Sequence, residues 1–300
     1  MPRALAAIRR NSTLYLFLLP MSLLVIAFGI VPILQSVLMS FTKSSTSLST
    51  EPLYIGFENF RTIFRDAYFL DSFRITILFT AVSVPLNLLA ALLFALLISS
   101  SYIRRGAVVF KLSVFLPVVV PIMATSVVWK WMYNTNFGAV NAILSRLGMP
   151  EFSALASPRT VLIALGIVEL WKHVGLYTII FLTNIQLIDR ELYEAAYLDG
   201  AGYWARTLRI TLPELGPAIS LNAVYALIQF LKTFAVALVM TQGGPAYASN
   251  FVSYYAYSKF RIGDYGEAAA MGTVLFGAVV ILTLATRRLV SADRMEGSEP

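Results

Sequence analysis

Six runs of this chain, at about 14–38, 73–99, 108–133, 161–187, 218–240 and 268–285, are almost unbrokenly apolar. Each approaches the ~20 residues that carry a helix across ~30 Å of hydrocarbon. In that medium every backbone N–H and C=O must be satisfied within the chain, which leaves helices or closed barrels, and runs of this length are helical. The expected fold is therefore an all-α polytopic membrane protein of six transmembrane helices, with 1–300 forming a single membrane domain. Composition agrees: 58% of residues are hydrophobic, 13% are charged and the mean hydropathy is +0.74, outside the range of a soluble domain. The first run is longer than a signal-peptide core and lacks a small-residue cleavage site, so it reads as a retained helix.

The chain has no cysteine and one histidine. Disulfides, thiolate metal sites and cysteine nucleophiles are excluded, no metal site is expected, and no catalytic cluster of a membrane enzyme is visible. The formal charge of +7 could suggest nucleic acid, but the basic residues gather at the ends of apolar runs. Arg3, Arg9 and Arg10, then Arg104, Arg105 and Lys111, then Arg190, Arg206 and Arg209, then Arg287, Arg288 and Arg294 fall on one side. The positive-inside rule puts both termini and the polar segment 188–217 in the cytoplasm.

That segment is the one long polar interruption of the second half. Asp189, bracketed by Ile188 and Tyr193 as a hydrophobic staple, is placed to cap a short helix with Glu191 in its first turn. Asp199-Gly200 turns the chain, and a second short helix is expected from Tyr203 to about Ile210, stopping before Pro213. The product is a helical hairpin on a membrane surface.

Charge inside the apolar runs is the other informative feature. Glu169, Lys172, His173 and Tyr177 share one face of the fourth helix, and Gln229, Lys232 and Thr233 have the same spacing on the fifth. An ionisable group at the bilayer centre costs at least ~2.5–3.5 kcal/mol, so these groups should face a bundle interior or a wet cavity. Two readings follow: a shared substrate cavity in the outer half of the membrane, or an ion pair between Glu169 and Lys172 or Lys232. A cavity of this kind suits a sugar, with polar groups for hydroxyls and Tyr177 or Phe230 for stacking. The cations would equally suit a phosphate.

Glu194-Ala195-Ala196, Asp199, Gly200, Ala201, Ile210 and Leu212-Pro213 resemble the EAA loop of permease subunits from binding-protein-dependent ABC importers. The likeness extends to Gly56-Phe57-Glu58-Asn59-Phe60, to Leu116-Pro117 through Trp129-Lys130-Trp131, and to Thr241-Gln242-Gly243-Gly244-Pro245, all as in the carbohydrate-uptake type. The resemblance implies an importer subunit, not an enzyme, in a bacterial or archaeal inner membrane. It implies a second permease, two ATPase subunits docked on the loop, and an external solute-binding protein as partners. ATP and magnesium then belong to the ATPases; this chain has no phosphate loop and no cofactor of its own. The maltose-type members bind sugar between the equivalents of helices four and five, which implies roles for Glu169, Lys172, His173, Phe230 and Thr233. Arg74 departs from the family's asparagine, and the large external insertion of the maltose-type subunit is missing. The reading from a different class is an ion-coupled secondary transporter with Glu169 as the carrier.

Overall fold

The computed structural model describes residues 12–43, 53–99 and 107–296. Arg3, Arg9, Arg10, Arg104 and Arg105, the side chains of Arg287 and Arg294, and 44–50 of the Ser- and Thr-rich stretch lie outside the described residues. The elements run α1 (Ser12–Val25), a π turn (Ile26–Ile30), α2 (Val31–Met39), β1 (Thr42–Lys43), β2 (Leu53–Tyr54), α3 (Glu58–Ile63) and α4 (Ala67–Ser99). They continue with α5 (Ala107–Val119), α6 (Ile122–Met132), α7 (Ala139–Arg146), α8 (Val161–Leu187), α9 (Arg190–Leu198) and α10 (Tyr203–Arg206). After a π turn (Thr207–Thr211) come α11 (Leu212–Glu214) and α12 (Gly216–Leu231), a further π turn (Ala237–Thr241), α13 (Val252–Arg261) and α14 (Tyr265–Glu296).

Four helices, Leu16–Met39, Ala67–Ser99, Val161–Leu187 and Tyr265–Thr286, are each long and apolar enough to cross a bilayer. Two pairs pass only together: Val108–Val119 with Ile122–Met132, bent by 109°, and Tyr203–Glu214 with Gly216–Leu231, bent by 64°. Among the described residues there are thus four unbroken spans, or six if each bent pair is one span.

The differences from the expected boundaries have local causes. The third run breaks at Val120-Pro121 because proline lacks an N–H and pushes the residue before it out of the helical region. The fifth was expected over 218–240, yet its helix ends at Leu231. There the Thr233 hydroxyl donates to the Phe230 carbonyl at 2.7 Å and closes the last turn. The second helix of the polar segment passes through Pro213 to Glu214 rather than stopping before it. Pro213 follows the π turn, in which the Leu212 N–H reaches back five residues to the Thr207 carbonyl, so the proline stands where the regular α ladder is already interrupted.

Contacts divide the chain into two compact units. In the first, residues up to Asp66 with Ala256–Val274, β1 and β2 pair antiparallel with Thr42 opposite Tyr54. Asn59 donates from Nδ2 to the carbonyls of Ser40 (2.8 Å) and Thr42 (2.9 Å). Gly266, at the start of α14, lies so close that a Cβ would stand 2.2 Å from the Thr42 oxygen. Lys259 Nζ reaches Glu267 at 2.8 Å and Asp264 at 3.6 Å. Burial pulls the Lys259 pKa down, but the hydrogen bond to Glu267 and the surrounding carboxylates outweigh it and hold the pKa above the ordinary lysine value.

The second unit, Ala67–Tyr255 with the chain from Leu275, is built around α8. Leu165, Val168, Tyr177 and Phe181 on that helix are fully buried. Around it stand small residues, Ala91 and Ala95 of α4 and Ala218 and Ala226 of α12, as expected where lipid supplies no hydrophobic drive and close backbone approach decides packing. Phe79 joins the elements through rings 6.1 Å from Phe230 and 5.0 Å from Phe251. The closest crossing is at Gly175, where a Cβ would meet the Val114 carbonyl oxygen of α5 at 2.2 Å and Val118 Cγ2 at 2.8 Å. Only hydrogen fits there.

That crossing generates a prediction. Gly175→Ala should destabilise the purified chain by about 1–3 kcal/mol through overpacking, read as a lower thermal unfolding midpoint in detergent. Gly272→Ala on α14, which meets no heavy atom within 4 Å, should leave the midpoint unchanged or raise it.

Candidate functional site

The polar face of α8 is present, and its side chains are directed differently from one another. Glu169 and Lys172 are buried and His173 is half-buried. His173 Nδ1 lies 3.0 Å from Glu169 Oε2, one helical turn away, and equally 3.0 Å from the Glu169 carbonyl oxygen, so the side chain set against the Glu169 carboxylate is His173 and not Lys172 or Lys232. Lys172 instead points its ammonium at α5, donating to the carbonyl oxygens of Pro117 (2.8 Å) and Val118 (2.9 Å). Tyr177, one turn beyond His173, is wholly buried and its hydroxyl has no hydrogen-bond partner among the described residues.

The facing helix contributes some of the residues expected of it. Phe230 is buried with its ring 6.1 Å from the His173 ring, edge to face. Gln229 Nε2 donates to the Tyr225 hydroxyl at 3.0 Å. Thr233 is turned back onto its own helix end, and Lys232, the residue after that end, is exposed. The structure thus brings Glu169, His173 and Phe230 together and leaves Lys232 on the surface.

Two neighbours escaped the sequence reading. Asn222, fully buried, donates to the Tyr177 carbonyl at 3.2 Å and so ties α12 to α8. Its Oδ1, like the Tyr177 hydroxyl, is unpartnered. Tyr225 places its ring 6.1 Å from that of Tyr177. The available signal was periodicity: Asn222, Tyr225 and Gln229 follow one another at helical spacing on one face.

Two clefts lie close by. One of about 300 Å³ runs between α4 and α8 past Phe79, Ser83, Asn87 and Leu170, and one of about 430 Å³ is lined by Asn136, Asn141 and Glu151 around α7. Neither takes in Glu169 or Gln229.

The polar segment forms the expected hairpin. Asp189 caps α9 by accepting from the Glu191 N–H at 3.1 Å. Gly200 adopts φ +77°, in the left-handed region that glycine alone enters without strain. The Ala201 N–H then returns to the Ala196 carbonyl at 2.9 Å and closes the helix end. Tyr193 and Thr211 hydroxyls meet at 2.8 Å, and the Arg206 guanidinium lies 5.8 Å from the Tyr197 ring centroid, so the two limbs are fastened to each other. Glu194, Ala195, Asp199, Leu212 and Pro213 are exposed, while Ala196 and Ile210 are half-buried. The cap is Asp189; Glu194 stands free on the outer surface of α9. Beside it Tyr197 (70%), Leu198 (86%) and Trp204 (69%) are largely exposed.

Comparison with known proteins places this architecture. Residues 70–294 match the family model described as binding-protein-dependent transport system inner membrane component. The chain is 32% identical to a trehalose/maltose transport system permease protein of Thermococcus litoralis over 90% of this chain and 90% of that one. It is 30% identical to a sulfoquinovosyl glycerol transport system permease protein of Agrobacterium fabrum, over 92% and 89%. Against an sn-glycerol-3-phosphate transport system permease protein of Shigella flexneri the figures are 31%, 93% and 94%. Among solved structures, a bacterial ABC transporter that imports the acidic polysaccharide alginate shares the fold, with a TM-score of 0.84 over 97% of this chain and 99% of that one at 24% identity. The same kind of transporter bound to its alginate pentasaccharide-loaded periplasmic protein gives 0.83 over 95% and 97% at 26% identity. This chain belongs to the family of binding-protein-dependent transport system inner membrane components.

Proposed function

We propose that the chain is one of two permease subunits of an ABC importer for a sugar or sugar derivative. It crosses the inner membrane of a bacterial or archaeal cell six times, with both termini and the 188–217 hairpin in the cytoplasm. A second, related permease completes the pathway, an external solute-binding protein delivers the cargo, and two ATPase subunits supply the drive. ATP and magnesium act in those subunits. Family membership removes the basis for an ion-coupled carrier. The cargo class rests on the relatives, whose names specify trehalose/maltose, sulfoquinovosyl glycerol and sn-glycerol-3-phosphate.

The observation that carries the reading is the hairpin surface. Tyr197, Leu198 and Trp204 are the most exposed of several large apolar and aromatic side chains on a segment whose two limbs are cross-tied. Exposed apolar side chains of this kind mark a contact surface, and the likeness to importer permeases supports assigning that contact to the ATPase. Rigid cross-ties suit a part that transmits a push. In this reading Glu194, Ala195, Ala196, Asp199, Gly200, Ile210, Leu212 and Pro213 form the ATPase-coupling loop. ATP-driven closure moves it, and the motion passes up α8 and α12. Cargo meets Glu169, His173, Tyr177, Gln229 and Phe230 when the helices separate, with Lys232 and Thr233 at the rim. The carboxylate and amide address hydroxyls and Phe230 supplies a stacking face.

Extraction in mild detergent tests the coupling role. Wild type should bring down the ATPase subunits and the second permease. Gly200→Pro, which forbids φ +77°, and Glu194→Lys should keep the second permease and lose the ATPases. Wild type purifying alone, yet accumulating cargo on an ion gradient, would overturn the importer reading. A second measurement addresses cargo. Because the Tyr177 hydroxyl has no hydrogen-bond partner among the described residues, Tyr177→Phe should leave the unfolding midpoint unchanged or higher. Uptake into membrane vesicles should nevertheless fall about tenfold, the equivalent of one lost hydrogen bond of ~1–1.5 kcal/mol. Unchanged uptake removes Tyr177 from the cargo site.

A further inference from the structure

The geometry points to Lys172 as the residue that sets the bend of the third span, by capping the carbonyls which Pro121 leaves without donors. The argument starts from proline chemistry. In an uninterrupted helix the carbonyl of Pro117 would accept from the N–H of residue 121. Pro121 has no N–H, so that oxygen is orphaned, and Val118 belongs to the same terminal turn of α5, whose last carbonyls also lack intrahelical donors. Lys172 Nζ meets these two oxygens, at 2.8 Å and 2.9 Å. The helix end carries partial negative charge, so a cation is the favoured occupant as well as a donor.

Two independent features put the lysine there. Gly175, one turn along α8, lets the backbones of α8 and α5 touch at Val114, which brings the Lys172 stem beside the terminal turn. Glu169, the nearest carboxylate on the same face, is engaged by His173 at 3.0 Å. The ammonium is therefore directed at backbone and not at a carboxylate or the Phe230 side of α8. The bend is also relayed onward: Lys130 on α6 donates to the Val239 carbonyl in the π turn after α12, at 3.1 Å. One lysine thus fixes the direction of α6 relative to α5, and a second fastens α6 to the far end of the fifth run. Lys172 is a positioning residue of the pathway wall.

The chain contains no cysteine, so spin labels can be placed at will. Val109 on α5 and Val128 on α6 are both largely exposed, and V109C/V128C carries one label on each limb. At 1.5 Å per residue the backbone separation is about 17 Å with the limbs bent by 109° and about 28 Å if they were straight. Pulsed electron–electron resonance on the full chain in lipid bilayers should give a narrow distribution near the shorter value. Lys172→Met should broaden it and shift its mean toward the longer one; an unshifted, narrow distribution overturns the proposal. Should K172M fail to accumulate, K172M/P121A decides. The restored N–H at 121 takes the Pro117 carbonyl, so the double variant should be recovered folded, and its equal loss overturns the assignment. The consequence for transport rests on the importer reading. The spectroscopic test needs neither cargo nor ATPase, so its failure leaves that reading standing.

Discussion

A carbonyl oxygen in hydrocarbon must find a donor, because an unsatisfied one costs several kcal/mol, and this chain breaks its helices where it most needs them intact. Its fold depends on how the resulting debts are settled. The break at Pro121 is met by Lys172, the end of α12 by the Thr233 hydroxyl, and the π turn beyond it by Lys130. In each case a polar side chain that looks out of place in an apolar run has backbone as its partner. Asn222, buried between α8 and α12, also addresses backbone, donating to the Tyr177 carbonyl in mid-helix and so joining two helices where no break calls for it.

How much of this could be read from sequence varied with the kind of signal. The fourth span was expected at 161–187 and is Val161–Leu187, since Asp189 and its cap fix where the next helix must begin. The cap and the glycine turn of the 188–217 hairpin were equally legible, being local chemistry, although its second limb runs on to Glu214. The third and fifth runs were drawn as single helices because apolar content does not report a bend. Pro121 was visible; the 109° angle that follows from it depends on which donors lie nearby in space. The fifth helix ends at Leu231, where backbone N–H groups and the Thr233 hydroxyl converge on the Phe230 carbonyl, an arrangement that no periodicity reveals.

The site shows the same division. Residue type and spacing put Glu169 and His173 on one face of α8, and in the structure they lie together with Phe230 beside them. What spacing could not supply was the direction of long side chains. Lys172 shares a face with Glu169 yet turns to α5, because a flexible four-carbon stem reaches whichever acceptors are unsatisfied. Lys232 was placed with Gln229 on the assumption of a continuing helix, and it is exposed because the helix stops one residue earlier.

The bare crossing at Gly175 has a mechanical meaning beyond packing. At that point α8 contributes no side chain, so its backbone rests directly on the Val114 carbonyl and the Val118 side chain of α5, and translation into α5 is blocked, while Lys172 one turn away holds the two helices in one orientation. Gly175 lies one residue from the midpoint of a helix of 27 residues, roughly 40 Å long. A rod held at its middle is a lever with arms of nearly equal length. Were α8 to turn about that point, a sideways displacement of the Leu187 end, where the hairpin begins, would reappear at the Val161 end with similar size and opposite sense.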